Sequence, residues 1–148
     1  MGLDMYMRAT RYLMRSDKDE SAISKKVAEA IGLPDADVRE VSVLVGQWRK
    51  ANQIHNWFVQ NVQGGEDDCK PYYVGTDQLK ELKDLCVRLL DTRDKEEAEE
   101  MLPNTDGFFF GSQDYDDYYW GDLMETVEII DKCFALPDVW GFEYQASW

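Results

Sequence analysis

The sequence predicts an α+β domain whose small, mainly antiparallel sheet includes both terminal strands and is covered by about five helices. Three observations lead there. Both ends of the chain alternate apolar and polar residues, the period of two that a half-buried strand requires. The interior instead carries apolar residues three and four apart, as amphipathic helices do. No glycine-rich phosphate loop follows any candidate strand, which weighs against a parallel nucleotide-binding sheet. With 148 residues, 44% of them apolar and 13% aromatic, the chain suits one domain with one core.

Each element has its own signal. Alternation from Leu3 through Met7 and on to Leu13-Met14 predicts the first strand. A helix is expected from Ser21, with Ile23, Val27, Ala30 and Ile31 on one face, stopped by Gly32 and Pro34. Val41, Val43 and Val45 predict a second strand, and the apolar Leu44 between them suggests cover on both faces. A helix from about Arg49 to Val62 follows, then an acidic loop over 64–70 and a short extended piece over 71–74. Thr76 is a good N-cap for a helix through Asp91 that carries Leu79, Leu82, Leu85, Cys86, Leu89 and Leu90. A charged helix from Lys95 to Leu102 ends at Pro103, and Asn104 to Gly107 is turn chemistry. Phe108 to Leu123 leads into a helix with Leu123, Val127, Ile130 and Phe134 on one face, closed by Pro137. Trp140 to Trp148 is the terminal strand.

The net charge of −14 is unevenly spread. Residues 1–62 carry nine basic and eight acidic groups, 63–105 six and twelve, and 106–148 one and ten. Such a field repels nucleic acid and anionic lipid, so no direct nucleic-acid binding and no membrane association are expected, whereas basic partners fit. No apolar run reaches the eighteen or so residues of a bilayer span, and MGLDMYMRATRY lacks the order of a signal peptide, so a cytoplasmic protein is expected. Cys69, Cys86 and Cys133 are odd in number and far apart, which suits reduced thiols and makes no zinc set with one histidine. No cofactor is indicated.

Two stretches carry the chemistry. In QWRKANQIHNWF, Gln47 to Phe58, a functional reading puts Trp48, Arg49, Asn52 and His55 at a cleft edge, with Trp stacking a planar ligand and Arg49 and Lys50 meeting a phosphate. The plainer reading buries Ile54, Trp57 and Phe58 and leaves the polar side chains in solvent. Histidine is the side chain suited to acid–base work near neutrality, but no serine or cysteine motif accompanies His55. Cys69 beside Asp67-Asp68 is a poor thiolate, because neighbouring negative charge raises a thiol pKa.

The second stretch is FFFGSQDYDDYYWGDL, Phe108 to Leu123. Asp114, Asp116, Asp117 and Asp122 offer hard oxygen ligands, the first three as weak metal candidates, yet their spacing is not that of an EF-hand loop. Phe110, Tyr115, Tyr118, Tyr119 and Trp120 among those carboxylates suit a recognition surface, where tyrosine and tryptophan supply area at low entropic cost, and Tyr115 and Tyr119 are the two expected to meet a ligand. Three consecutive phenylalanines cannot all face one side of a strand, and Phe109 is the one expected at a surface pocket.

The blocks MGLDMY at the start, WRKANQIHNWF in the centre, and GFFFGSQDYDDYY with the ending YQASW together resemble a family of small, uncharacterised bacteriophage and prophage proteins. Gln47 stands where members carry an aromatic residue, and the stretch from about Met14 to Asp37 is longer than in compact members. The resemblance implies phage or prophage origin, residence in the bacterial host cytosol, and no established reaction. It favours an accessory protein, more a binder than an enzyme, that acts on a host system through an aromatic and polar surface. The expected partner is a host protein or a small nucleotide-like ligand. Two alternatives stand beside it: an acidic nucleic-acid mimic that blocks a basic host protein, and a small hydrolase that depends on a metal or on His55.

Overall fold

The computed structural model describes residues 2–107 and 111–148. Its elements run β1 (Asp4–Tyr12), α1 (Lys18–Ala30), β2 (Glu40–Arg49), α2 (Asn52–Asn61), β3 (Tyr72–Val74), α3 (Thr76–Thr92), α4 (Lys95–Met101), α5 (Asp117–Phe134) and β4 (Gly141–Ser147). The four strands form one antiparallel sheet in the order β2-β1-β4-β3, so both terminal strands lie side by side at its centre. This is the α+β arrangement, with five helices among the described residues, that the sequence predicts.

The period of two decides which face of the sheet is covered. Met5, Met7 and Ala9 of β1 and Phe142, Tyr144 and Ala146 of β4 point inward and are buried. Tyr6, Arg8, Thr10, Glu143 and Gln145 occupy the opposite face of the same strands and are half-buried. Ile54 and Phe58 of α2, Leu79, Leu82, Cys86 and Leu89 of α3, and Leu123, Ile129 and Ile130 of α5 close over the inward face. Within this core Phe58 stacks on Tyr144 with ring centroids 3.8 Å apart, and Trp48 meets Phe58 edge-on at 6.1 Å. Such aromatic pairs add to the apolar area that they bury.

Several boundaries differ from the sequence expectation, each for a local reason. The helix expected from Arg49 begins at Asn52, because β2 continues through Arg49 and Lys50 then turns with φ 59°. The helix expected from Ser21 begins at Lys18, where Asp17 accepts hydrogen bonds from the Asp19 and Glu20 N–H groups. Thr76 is the first residue of α3 and Gly75 is its N-cap; the Gln78 side chain accepts the Gly75 N–H. The first strand ends at Tyr12, short of Met14. The cover expected on both faces of β2 is absent too. β2 is an edge strand, and Val43 and Leu44 are exposed.

The stretch from about Met14 to Asp37 builds α1, whose buried residues are the small Ser24 and Ala28. Ser24 Oγ accepts the Val38 N–H and the Ala28 carbonyl accepts the Leu33 N–H, so α1 folds back on its own return loop. Arg15 and Arg39 both pair with Asp37 at the base of this excursion.

β2 also carries a bulge. Met7 pairs with Gly46 but Arg8 pairs with Leu44, which leaves Val45 as the extra residue and bends the edge strand. Helix α5 crosses β2 there so closely that a Cβ on Gly46 would lie 2.4 to 2.6 Å from three carbons of Ile129. Gly46→Ala is therefore expected to cost roughly 1–3 kcal/mol by overpacking. In urea denaturation, Ile129→Val in the same chain should return part of that loss, whereas Ile129→Val alone should only destabilise.

Candidate functional site

Where β2 ends, α2 begins and the 111–116 loop leads into α5, the described residues enclose a pocket of about 340 Å³. Arg49 and Lys50 come from the end of β2, Gln53 from α2, Asp114 and Asp116 from the loop, and Tyr118 and Asp122 from α5. The two stretches singled out in the sequence thus meet in space.

The turn at Lys50 sets this geometry. Its N–H donates to the Leu3 carbonyl at 2.7 Å, which extends the β1–β2 pairing by one link, and its own carbonyl accepts the Asn52 N–H at 2.9 Å. Gly111, with φ 88°, lies against the Lys50 Cβ and carbonyl, and an added methyl there would sit 3.0 Å from that Cβ. Arg49 points to the rim, where its guanidinium is 3.8 Å from Asp4, and among the described residues no ion pair is recorded for Lys50. Both cations are exposed.

Asn52, expected to read a ligand, is committed to the protein. Its amide donates to the Ser112 carbonyl at 2.9 Å, and its side-chain oxygen accepts the Thr105 N–H at 2.9 Å. This side chain staples the loop to α2. Tyr119 is buried as well, and its hydroxyl donates to the Leu102 carbonyl, so it forms the back wall rather than a stacking platform. Trp48, expected to stack a ligand, is 1% exposed in the core, where its Nε1–H donates to Thr126 Oγ1 at 2.9 Å. Tyr115 is half-buried against Tyr119 at 4.8 Å, and its hydroxyl accepts the Asn104 N–H. Phe109 lies outside the described residues.

His55 does not line the pocket. It is buried elsewhere in α2, with Nδ1 2.7 Å from the Tyr144 hydroxyl and Nε2 3.0 Å from Asp67. As a neutral ring, the tautomer with its proton on Nε2 satisfies both, donating to the carboxylate and accepting the tyrosine O–H. Trp148 Nε1–H donates to the same Asp67 oxygen. The group ties the 64–70 loop and the end of the chain to α2. Among the described residues no set of three or more His, Cys, Asp or Glu side chains is placed to hold a metal ion. Asp116 is instead the N-cap of α5 and accepts the Tyr118 and Tyr119 N–H groups, while Asp117 opens that helix exposed. The thiols of Cys86 and Cys133 are pushed up to about 12 by burial, which makes them inert at neutral pH.

Gln53 escaped the sequence reading, and Tyr118 and Asp122, named there among the aromatics and carboxylates of the second stretch, were not singled out as ligand residues. Tyr118 is 81% exposed at the pocket mouth, and Asp122 lies one turn further along the same face of α5. Their i, i+4 spacing was the available signal once the start of α5 is set at Asp117. Burial raises the Asp122 carboxyl to about 6, a hydrogen bond from Gln53 at 3.1 Å lowers it in part, and the charges of Glu125 and Asp116 raise it further. No protein-family model, no curated protein and no solved structure matches this chain.

The Asp122 shift has a definite sign. A carboxyl whose pKa rises from 3.8 to about 6 on folding binds its proton more tightly in the native state, so stability falls as pH climbs between those values. Above about pH 6 the full cost is present, roughly 1–2 kcal/mol after allowance for the solvent that still reaches the group. Asp122→Asn should therefore raise the urea midpoint at pH 7.5 or so and leave it unchanged near pH 4. Equal gains at both pH values would contradict the shift.

Proposed function

We propose that this chain is a phage or prophage accessory protein that binds a small, nucleotide-like ligand in the pocket between β2, α2 and α5. One observation carries the reading. Two exposed cations and an exposed tyrosine line one cavity of ligand size together with Asp114, Asp116 and the partly buried Asp122. Arg49 and Lys50 would meet the phosphate, Tyr118 would cover the flat face of a base, and Asp122 with Gln53 would accept and donate at its edge. The stability that Asp122 gives up at neutral pH supports a role in binding, because a carboxylate held at a cost is retained for what it does. An acidic chain benefits from cations placed at the pocket mouth, since they offset locally a field that would otherwise repel an anion.

A second reading keeps the nucleic-acid mimic. Glu81, Asp84, Asp91, Glu99, Glu125 and Glu128 are exposed on α3, α4 and α5, which supports a carboxylate surface for a basic host protein. The two readings respond oppositely to one variant.

Calorimetric titration with the four nucleoside monophosphates tests the first reading. At least one is expected to bind saturably, and Arg49→Ala with Lys50→Ala should weaken it roughly 10- to 100-fold, the value of one or two charge-assisted hydrogen bonds. A mimic would instead bind its basic partner as well or better after that change. Absence of binding by all four, together with no nucleotide released on denaturing protein purified from a bacterial cytosol, would sink the pocket reading.

A further inference from the structure

A different part of the fold carries a second site. Strand β3 is the short edge of the sheet, and Tyr73 at its centre is 73% exposed. On the open face of the sheet, Tyr73 walls a hollow of about 270 Å³ together with Tyr12, Val139 and Glu143, floored by Thr10 and Gly141. Tyr12 is 67% exposed. Gly141 keeps the floor low, since a Cβ there would lie 3.5 Å from the Tyr73 ring and 3.7 Å from Thr10 Oγ1. On the other side of Tyr73 lies a second hollow, of about 340 Å³, walled by Phe134, Pro137, Asp138 and Trp140.

Three features give these hollows a chemical preference. No Lys or Arg lines either one, while Glu143 lines the first and Asp138 the second. Glu143 faces Arg8 across the strands, but that guanidinium turns away, donating to Gln145 at 3.1 Å and lying 5.1 Å over the Tyr6 ring. Among the described residues no hydrogen bond or ion pair is recorded for Glu143. Tyrosine rings beside a carboxylate suit an organic cation, which the ring faces and the charge attract together. An extended chain places alternate side chains on one face, roughly 7 Å apart, the spacing needed to reach both sides of one ring.

We propose that the two hollows flanking Tyr73 bind an extended, basic segment of a partner protein, with an arginine or lysine side chain seated among Tyr12, Tyr73 and Glu143. The edge of β3 runs alongside, so such a segment meets unpaired backbone groups as well as side-chain hollows. The acidic balance of the whole chain steers a cation toward this surface and an anion away from it. This site shares no lining residue with the pocket of Arg49 and Asp122, and stands whether or not that pocket binds a nucleotide.

The experiment is a titration of the full chain, labelled with nitrogen-15, with the capped peptide Arg-Val-Arg-Val-Arg at physiological salt, followed by amide correlation spectra. Saturable shifts are expected at Tyr73, Gly141, Glu143 and the Trp140 indole. Tyr73→Ala and Glu143→Gln, both changes at side chains outside the core, should each weaken binding by about tenfold. The capped Gln-Val-Gln-Val-Gln peptide should give no saturable shift. Shifts that instead spread over the outer faces of α3 to α5 and persist in both variants would mean diffuse attraction to negative charge and overturn the site. So would no saturable shift, or shifts at these residues that appear on raising the protein concentration alone, which would assign the surface to a second copy of the chain.

Discussion

The left-handed turn at Lys50 is the constraint on which the rest of the pocket depends. In two residues it takes the chain from an edge strand, where Trp48 points into the core, to a helix crossing beneath the sheet. A non-glycine residue in that conformation costs about 1 kcal/mol, and the hydrogen bond from Lys50 to Leu3 offsets it by tying the turn to the first residues of the chain. A glycine would make the same turn more easily. What it could not supply is a cation beside Arg49 at the mouth of a cavity whose far wall is acidic.

Helix α2 buries three polar side chains in its first turn, and each of them reaches a different segment. Asn52 holds Thr105 and Ser112, Gln53 reaches the Tyr119 carbonyl and the Asp122 carboxylate, and His55 joins Asp67 to Tyr144. Apolar residues there would pack, but they would leave loop N–H and C=O groups without partners. Buried polar networks are worth having when their members are satisfied and costly when they are not. Among buried side-chain atoms of the described residues, Arg11 Nε alone lacks a partner, and it belongs to the far end of β1. The helix therefore acts as a hub for otherwise unsupported loops.

That role explains what could and could not be read in the sequence. The fold was legible, because alternation over 3–12 and 141–147 and the leucine spacing of α3 follow directly from which faces must be buried. Boundaries near Arg49 were not, since the residues of QWRKANQ suit a helix by propensity and only pairing with β1 keeps Gln47 to Arg49 extended. The two chemical stretches were found, and residues of both line one pocket. Assignments within them were less transferable. Trp48, Asn52 and Tyr119 carry the right chemistry for a ligand and spend it on the core and the loop, whereas Tyr118 stands free one position before Tyr119. A shift of one residue on a helix turns a side chain by about 100°, so without the start of α5 the choice between neighbouring tyrosines had no basis.

Helix α5 relates the two surfaces. Its first turns give Tyr118 and Asp122 to the pocket, and Phe134, its last residue, walls a hollow beside Tyr73. Eighteen residues of helix span about 27 Å, so a ligand in one site does not touch a ligand in the other. The helix is held along its length by Leu123, Thr126, Ile129, Ile130 and Cys133, all buried, and by the close crossing at Gly46. A helix packed this closely moves as a body or not at all. Any influence of one site on the other would have to pass through a displacement at Gly46 and Ile129, where the gap leaves no room for even a methyl group. The fold thus sets two candidate surfaces on one closely packed helix, and they share no lining residue.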